Sequence, residues 1–260
     1  MAFELLEVHG IIYKRQKYQE ADLLAKILTK ELGPVTVILK GALRPKSKLA
    51  SVALPFTEGS FTILTKRRGI SQFRTYKDLV QHDELFGNLL VNAYASFIFD
   101  LLDHAAVEYQ PVGKYYQLVL TAFHRLLAGQ DAEILTQIVQ LQLLEAYGVK
   151  PELSCCLVCG KVQGTFDYSI SLGGVVCSDH FARVQRMHLA PKTVALLRTL
   201  GLVPIDRLGS IQIDDQLKEQ SRQAIDLIYQ ETVDLNLRTK KFLDELKTLE
   251  FLIESGPALW

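Results

Sequence analysis

The hydrophobic period of this chain changes near residue 80, and that change asks for two architectures in one polypeptide. From Leu5 to about Leu79 the apolar positions recur every second residue. In GPVTVILKGA, Val35, Val37 and Leu39 alternate with Thr36, Ile38 and Lys40, the pattern of a half-buried strand. DLLAKILTK (22–30) reads the same way, and Gly33-Pro34 turns the chain between the two runs. GSFTILTKRRGISQFRTYKDL (59–79) reads as a hairpin. Phe61 and Ile63 share a face, Arg67-Arg68-Gly69 turn, and Phe73 and Thr75 follow. With residues 5–14 this gives about five short strands, a number best satisfied by closing the sheet so that no edge is left exposed. An SH3-like barrel is the competing five-stranded solution.

Beyond residue 80 the spacing turns helical. Phe86, Leu89, Leu90, Ala93, Tyr94, Phe97 and Leu101 share one stripe, and Tyr116, Val119, Leu120, Phe123, Leu126 and Leu127 another. DAEILTQIVQLQLLEAYG opens on an acidic cap at Asp131 and closes on Gly148. APKTVALLRTLG starts at Pro191 and stops at Gly201, and residues 215–237 and 239–255 supply two further helices. The expected fold is therefore α+β and multi-domain, with a small barrel over 1–80 and a helical domain over 81–260. The charge divides at the same place. Residues 1–80 carry 14 Lys and Arg against 7 Asp and Glu, a balance of +7, which the remainder of the chain offsets to a net charge of zero. A basic front module on an acidic body suits a phosphate-bearing partner.

All four cysteines fall between residues 155 and 177. Cys156 and Cys159 are spaced C-x2-C with Gly160 behind them, and Cys177 and His180 form C-x2-H after Gly173-Gly174. A two-residue gap lets a tight turn aim two side chains at one ion, and glycine permits the positive φ of such turns. Two such knuckles match a tetrahedral zinc site with Cys156, Cys159, Cys177 and His180 as ligands, in a module over about 151–185. Cys155 competes with Cys156 for the first position, and buried metal-free thiols are the plain alternative. Four protein ligands leave no place for an activated water, so the zinc would be structural. His82-Asp83-Glu84 supplies the H-x-E of a nucleobase deaminase, but Cys155 stands where its proline should precede C-x-x-C.

Other catalytic signatures are missing, including a G-x-x-x-x-G-K-[ST] phosphate loop, G-x-G-x-x-G, H-E-x-x-H and G-x-S-x-G. The reading is of a binding protein, not an enzyme. MAFELLEVHG has no basic-then-apolar leader pattern, and the most apolar run, Leu89 to Leu102, is interrupted by Asn92, Ser96 and Asp100 and is too short to span a bilayer. A cytoplasmic protein without membrane contact is expected. The basic module interleaves Lys14, Arg15 and Lys17 with Tyr13 and Tyr18, gathers Lys40, Arg44, Lys46 and Lys48 in one loop, and adds Arg67, Arg68 and Arg74 near Phe73 and Tyr76. Cations for phosphates and aromatic faces for bases are what a nucleic-acid strand requires; a merely solvated basic surface is the alternative.

The run HGIIYKRQKYQEADLLAKILTKELGPVTVILKGALRPKSKL, the segment CLVCG…GGVVCSDH and the late LNLRTKKFL together resemble the bacterial RecO family of recombination mediators. Within the first of these, the shared features are the G-I-I strand, the turn with Tyr18, Glu20 and Asp22, the turn from Thr29 to Gly33, and the K-G-A-x-R loop. His180 departs from the pattern, standing where a fourth cysteine is common. The resemblance implies an OB-fold barrel and a DNA-repair role: binding single- and double-stranded DNA, annealing complementary strands, and acting with RecR to load RecA onto strands coated by single-strand-binding protein, at the bacterial nucleoid. It implies Lys40 and Arg44 as DNA contacts; the other eight cations are expected from charge and position. Lys114, His124 and Arg125, on or beside an apolar helix, are the expected receptor for the acidic, apolar-ended tail of single-strand-binding protein. A zinc-dependent nucleic-acid enzyme and a sequence-specific regulator are the remaining alternatives.

Overall fold

A computed structural model describes residues 3–209 and 212–255, with the side chains of residues 86, 251 and 253–255 left out. Five strands open the chain: β1 (Glu4–Tyr18), β2 (Asp22–Thr29), β3 (Gly33–Leu39), β4 (Thr57–Thr65) and β5 (Ser71–Val80), with a one-turn helix α1 (Leu49–Val52) between β3 and β4. They close into a barrel in the order β1-β2-β3-β5-β4, and β4 returns to β1. All ladders are antiparallel except β3–β5. This is the five-stranded OB-fold arrangement.

The expected alternation is present. Val35, Val37 and Leu39 are fully buried, whereas Thr36 and Ile38 are half-buried and Lys40 is exposed. Phe61 and Ile63 fill the same interior with Val8, Ile12, Ile27, Val52 and Ala53. Strand β1 differs from the expectation by running on to Tyr18. Its first half pairs with β4 (Glu4–Ile12) and its second with β2 (Lys14–Tyr18), the two overlapping around Gly10–Ile12. A bulge between Ile12 and Lys14 bends it from one ladder into the other.

Helices follow: α2 (Glu84–Gly87), α3 (Leu89–Ala105), α4 (Lys114–Leu127), α5 (Ala132–Leu143), α6 (Pro191–Leu202), α7 (Asp215–Thr232) and α8 (Arg238–Ser255). Between α5 and α6 lies a two-stranded hairpin, β6 (Phe166–Ser169) and β7 (Gly174–Cys177). The molecule divides into two compact units, 1–92 with 102–120 and 93–101 with 121–260, so the division runs through α3 and α4.

In the first unit, the 102–120 segment is fastened over the outer face of β2 and β3. The Asp103 carboxylate, 5% exposed, takes the Lys26 ammonium at 2.7 Å and the Tyr13 hydroxyl at 2.7 Å. Thr36 donates to Glu108 at 2.5 Å, and Tyr109 donates its backbone N–H to Pro34 and its hydroxyl to the Gly69 carbonyl. In the second unit, Asp131 caps α5 as expected by accepting from the N–H groups of Glu133 and Ile134. A short 3-10 turn (Leu144–Tyr147) then intervenes before Gly148 leaves at φ +81°. Helix α6 ends one residue past the expected stop at Gly201, which is helical itself and leaves room for Leu153: a Cβ there would come within 2.2 Å of Leu153 Cδ1. Among the described residues no helix is long and apolar enough to cross a membrane.

The β1–β2 ladder has one position without room for any side chain. A Cβ on Gly10 would stand 2.3 Å from the Leu28 carbonyl oxygen, and backbone cannot step aside as a side-chain end can. Gly10→Ala is expected to destabilise the barrel by about 1–3 kcal/mol, read as a lower urea midpoint for barrel unfolding. An unchanged midpoint would contradict the packing described.

Candidate nucleic-acid interface and metal centre

The cysteine segment folds around a hairpin too short to hold itself. β6 and β7 have four residues each, and the loop before them docks on β7 through Glu152, which bridges to Gly174 and accepts from the Val175 N–H at 2.9 Å. The first knuckle turns at Gly160 (φ +73°), whose N–H donates to the Cys156 carbonyl at 2.8 Å. The second knuckle is a 3-10 turn (Ser178–His180) directly after β7.

These turns converge. The sulfurs of Cys156, Cys159 and Cys177 and one ring nitrogen of His180 all lie within 4.8 Å of one another. Cys159 Sγ is 3.7 Å from Cys177 Sγ, and His180 Nδ1 is 3.3 Å from Cys177 Sγ and 3.9 Å from Cys156 Sγ. A tetrahedral ion with metal–sulfur bonds of about 2.3 Å and metal–nitrogen bonds of about 2.0 Å requires ligand separations of about 3.5–3.8 Å. The donor set therefore fits a metal ion of that kind. Burial pushes the Cys177 thiol up to about 11, and the sulfurs of Cys159 and Cys156 add to this. Burial acts the same way on Cys156, but N–H groups of Cys177, Cys159 and Val158 directed at its sulfur bring it down to about 6. The Cys156 sulfur is thus prepared as an anion by the backbone, and a bound cation would supply what Cys177 needs to lose its proton. Cys155, half-buried, is outside the cluster.

Two arginines that the sequence reading passed over fix the module in place. Arg198 of α6 lies over the Phe166 ring at 4.2 Å and donates to the carbonyls of Leu153, Ser154 and Val162 at 2.7, 2.8 and 3.2 Å. Arg186 donates at 2.6 Å to Asp167, a carboxylate only 1% exposed that also accepts from the N–H groups of His188 and Leu189. Neither arginine belongs to a motif, and only its position beside the cysteine segment hinted at a role.

On the barrel the ten cations are exposed but not equivalent. Lys40 and Arg44 line a groove of about 440 Å³ together with Tyr18, Gln19, Asp22, Ile38 and Gly41. The groove exists because Asp22, opening β2, accepts the Gly41 N–H at 2.7 Å, while Leu43 N–H donates to the Ala21 carbonyl. Those two bonds tie the β1–β2 turn to the loop after β3. Lys46 and Lys48 continue that loop, and Lys14, Arg15 and Lys17 stand on the second half of β1, where Arg15 reaches the Ala53 carbonyl at 3.3 Å. Arg74 is bonded to Gln72, which pairs with Ile38 of β3. Arg68 is at the β4–β5 turn, and Arg67 there is committed to Glu4 at 2.5 Å. The aromatic residues divide too. Tyr13 is buried and spends its hydroxyl on Asp103, and Phe73 and Tyr76, half-buried, pack on the barrel core. Tyr18, also half-buried, lines the groove instead.

In the second unit, Arg125 donates to the carbonyls of Leu208 and Asp206 and to Gln130, at 2.8, 3.0 and 2.9 Å. It lines a cavity of about 430 Å³ with Gln130, Asp131, Ile134, Leu135 and Leu208. His124 is exposed beside Phe123, and Lys114, in the other unit, lies 5.2 Å over the Tyr115 ring. Neither lines that cavity.

Family models for the N-terminal and the C-terminal part of recombination protein O match residues 1–80 and 87–241. Similar proteins include the DNA repair protein RecO of Lactobacillus delbrueckii subsp. bulgaricus, 64% identical over 247 residues that cover 95% of this chain and 99% of that protein. The DNA repair protein RecO of Lactobacillus acidophilus is 61% identical over 95% of this chain and 99% of its own length. That of Enterococcus faecalis is 34% identical over 96% of each.

Removing the Arg198 guanidinium leaves three carbonyls of the cysteine segment without their donor. Arg198→Ala is expected to raise amide exchange across residues 153–162 at least tenfold, since a charged hydrogen bond contributes about 1.5–3 kcal/mol. Exchange in the barrel should stay as it was; a uniform rise would mean global rather than local loosening.

Proposed function

Since the chain belongs to the recombination protein O family of DNA repair proteins, we propose that it is a recombination mediator that anneals single strands without nucleotide hydrolysis. The observation that carries this reading is the groove where Lys40 and Arg44 stand on a closed OB-fold barrel. Residues 1–80 form its DNA-binding domain, and Lys14, Arg15, Lys17, Lys46, Lys48, Arg67, Arg68 and Arg74 extend the field around that groove. Two strands repel each other through their phosphates. Cations held on a rigid barrel displace the counterion atmosphere of both, which lowers the cost of bringing them together. Such contacts break readily, so paired strands are released without an energy source.

The metal is zinc, held by Cys156, Cys159, Cys177 and His180. The three-sulfur, one-nitrogen set suits zinc, and four protein ligands make the site structural. RecR is the partner through which RecA is loaded, and the work is done in the cytoplasm at the nucleoid. The Arg125 cavity is the receptor for the tail of single-strand-binding protein: apolar walls from Ile134, Leu135 and Leu208 receive the tail's end, and Arg125 faces its acidic part. Because Arg125 also holds the 206–208 carbonyls, Leu208→Asp is the better perturbation.

Protein purified without chelator is expected to contain close to one zinc per chain. Stripping it should expose residues 153–189 to protease and leave the barrel protected; a zinc content far below one per chain would refute the assignment. Annealing of complementary oligonucleotides should proceed without ATP and weaken with salt. Replacing Lys40, Arg44, Lys46 and Lys48 with Ala should flatten the slope of log K against log salt for single strands by about 0.7 per lost phosphate contact. Leu208→Asp should spare bare strands and impair coated ones. An unchanged salt slope in the quadruple variant would mean the loop is only a solvated surface.

A further inference from the structure

The groove beside Lys40 holds more than a cation site needs. Across the β1–β2 ladder Tyr18 is opposite Asp22, and across β2–β3 Leu24 is opposite Ile38. Opposed residues share a face, and so do residues two apart, so Tyr18, Asp22, Leu24, Ile38 and Lys40 all point outward together. Further along this face the surface is taken: Lys26 is bound to Asp103 and Thr36 to Glu108. Among the described residues, no hydrogen-bond, ion-pair or ring partner engages the side chains of Tyr18, Lys40 or Arg44. Arg44 is laid across Gly41, where a Cβ would touch its Cδ at 3.4 Å. Asp22 gives Oδ1 to the Gly41 N–H and keeps Oδ2 for another donor.

We infer that this groove is a pocket for one unpaired nucleobase, with Tyr18 as its stacking face and Asp22 as the acceptor that reads the base edge. The inference deepens the DNA-binding reading above and rests on it. The volume of about 440 Å³ accommodates a single nucleotide, and Ile38 supplies an apolar floor. Asp22 ties Gly41 through one oxygen, but its charge repels phosphate, so a groove that took phosphates alone would gain nothing from the second, unpartnered oxygen. That oxygen makes sense if Lys40 and Arg44 take the phosphate at the rim while Asp22, pinned by Gly41, faces the base. A lone carboxylate oxygen accepts from the exocyclic amino group of cytosine or adenine, or from guanine. Thymine presents a carbonyl on either side of its only edge N–H and is disfavoured. A paired base is stacked in its duplex and cannot enter, so Tyr18 separates single strands from duplex, whereas the surrounding cations serve both.

The test compares equal-length single-stranded and duplex oligonucleotides at one salt concentration. Tyr18→Ala is expected to weaken single-strand binding about 5- to 150-fold, the range for loss of one base stack, and to leave duplex binding unchanged. Tyr18→Phe should bind as the unaltered protein does. The unaltered protein should lose affinity in the same range on a strand of abasic sites, a comparison that involves no variant and no question of folding. It should also favour cytosine-only over thymine-only strands. Asp22→Asn keeps an acceptor for Gly41 and replaces the base-reading acceptor with a donor, and should reverse that preference. Equal loss on both substrates for Tyr18→Ala, or undiminished binding of the abasic strand, would overturn the pocket while leaving cation-driven DNA binding intact. Failure of the unaltered protein to bind any DNA would overturn both.

Discussion

The barrel closes through β1, which pairs with β4 along its first half and with β2 along its second. Its 15 residues serve the β4 ladder first and the β2 ladder second, with a bulge between them. Where the two ladders overlap, backbone packs on backbone, so that Gly10 faces the Leu28 carbonyl with no space for a methyl group. Everything the barrel presents follows from this. The second half of β1 extends beyond the β4 ladder, which places Lys14, Arg15, Lys17 and Tyr18 on an outlying β1–β2 ribbon. The turn at its end is then within reach of the loop leaving β3, and Asp22 fastens the two by the Gly41 N–H. A shorter β1 would close the same barrel and build no groove.

The two modules spend their polar groups differently. In the barrel unit, buried or half-buried charges are matched inside the unit, as with Lys26 and Asp103, and the unmatched cations are left facing water. Exposed cations on a rigid support cost little to maintain, and they acquire worth only when a polyanion arrives. In the helical unit, by contrast, cations are mostly consumed. Arg222 is held between Glu219 and Asp226, Lys240 between Asp226 and Asp244, and Lys247 by Glu133. These acidic partners hold the Arg222 guanidinium above its already high range. The +7 of residues 1–80 is therefore presented largely as a surface, whereas most of the positive charges of the helical unit are engaged by partners.

The legible parts of this protein were those governed by periodicity and by ligand spacing. A period of two over Val35–Leu39, and an apolar stripe through Ala93, Phe97 and Leu101, each left one physical solution, and the structure adopts it. The C-x2-C and C-x2-H spacings likewise brought four donors together. What stayed hidden depends on distant partners. Tyr13 and Tyr18 are five residues apart in the same basic run, yet one is buried on Asp103 and the other lines a groove. No local pattern separates them, because the partner is 90 residues away. Gly201 looked like a helix stop and is also a packing contact for Leu153, 48 positions earlier. Arg125 offered a free cation to the sequence and turned out to hold the carbonyls of Asp206 and Leu208.

The cysteine segment shows what a metal ion would contribute to this particular insertion. Two strands of four residues cannot sustain a hairpin in water, since an isolated two-stranded hairpin is marginal at best. The segment compensates in three places. Asp167 collects the 186–189 segment, Arg198 gathers three carbonyls of the entering loop, and the four donors close the far end. The first two tie the hairpin to neighbouring chain, but neither ties the first knuckle to the second. The donor cluster joins the 156–159 turn to the 177–180 turn, helped only at the surface by the exposed Lys161–Asp179 ion pair at 3.0 Å and by the Leu157 N–H donating to the Val175 carbonyl, and sulfurs this close, without an ion, have weak contacts to offer one another. An ion held by the four donors would be the strongest tie between the knuckles. That confines any dependence on metal to the insertion, because the helices on either side are buried against each other through Leu141, Leu143, Leu197 and Leu200 without its help.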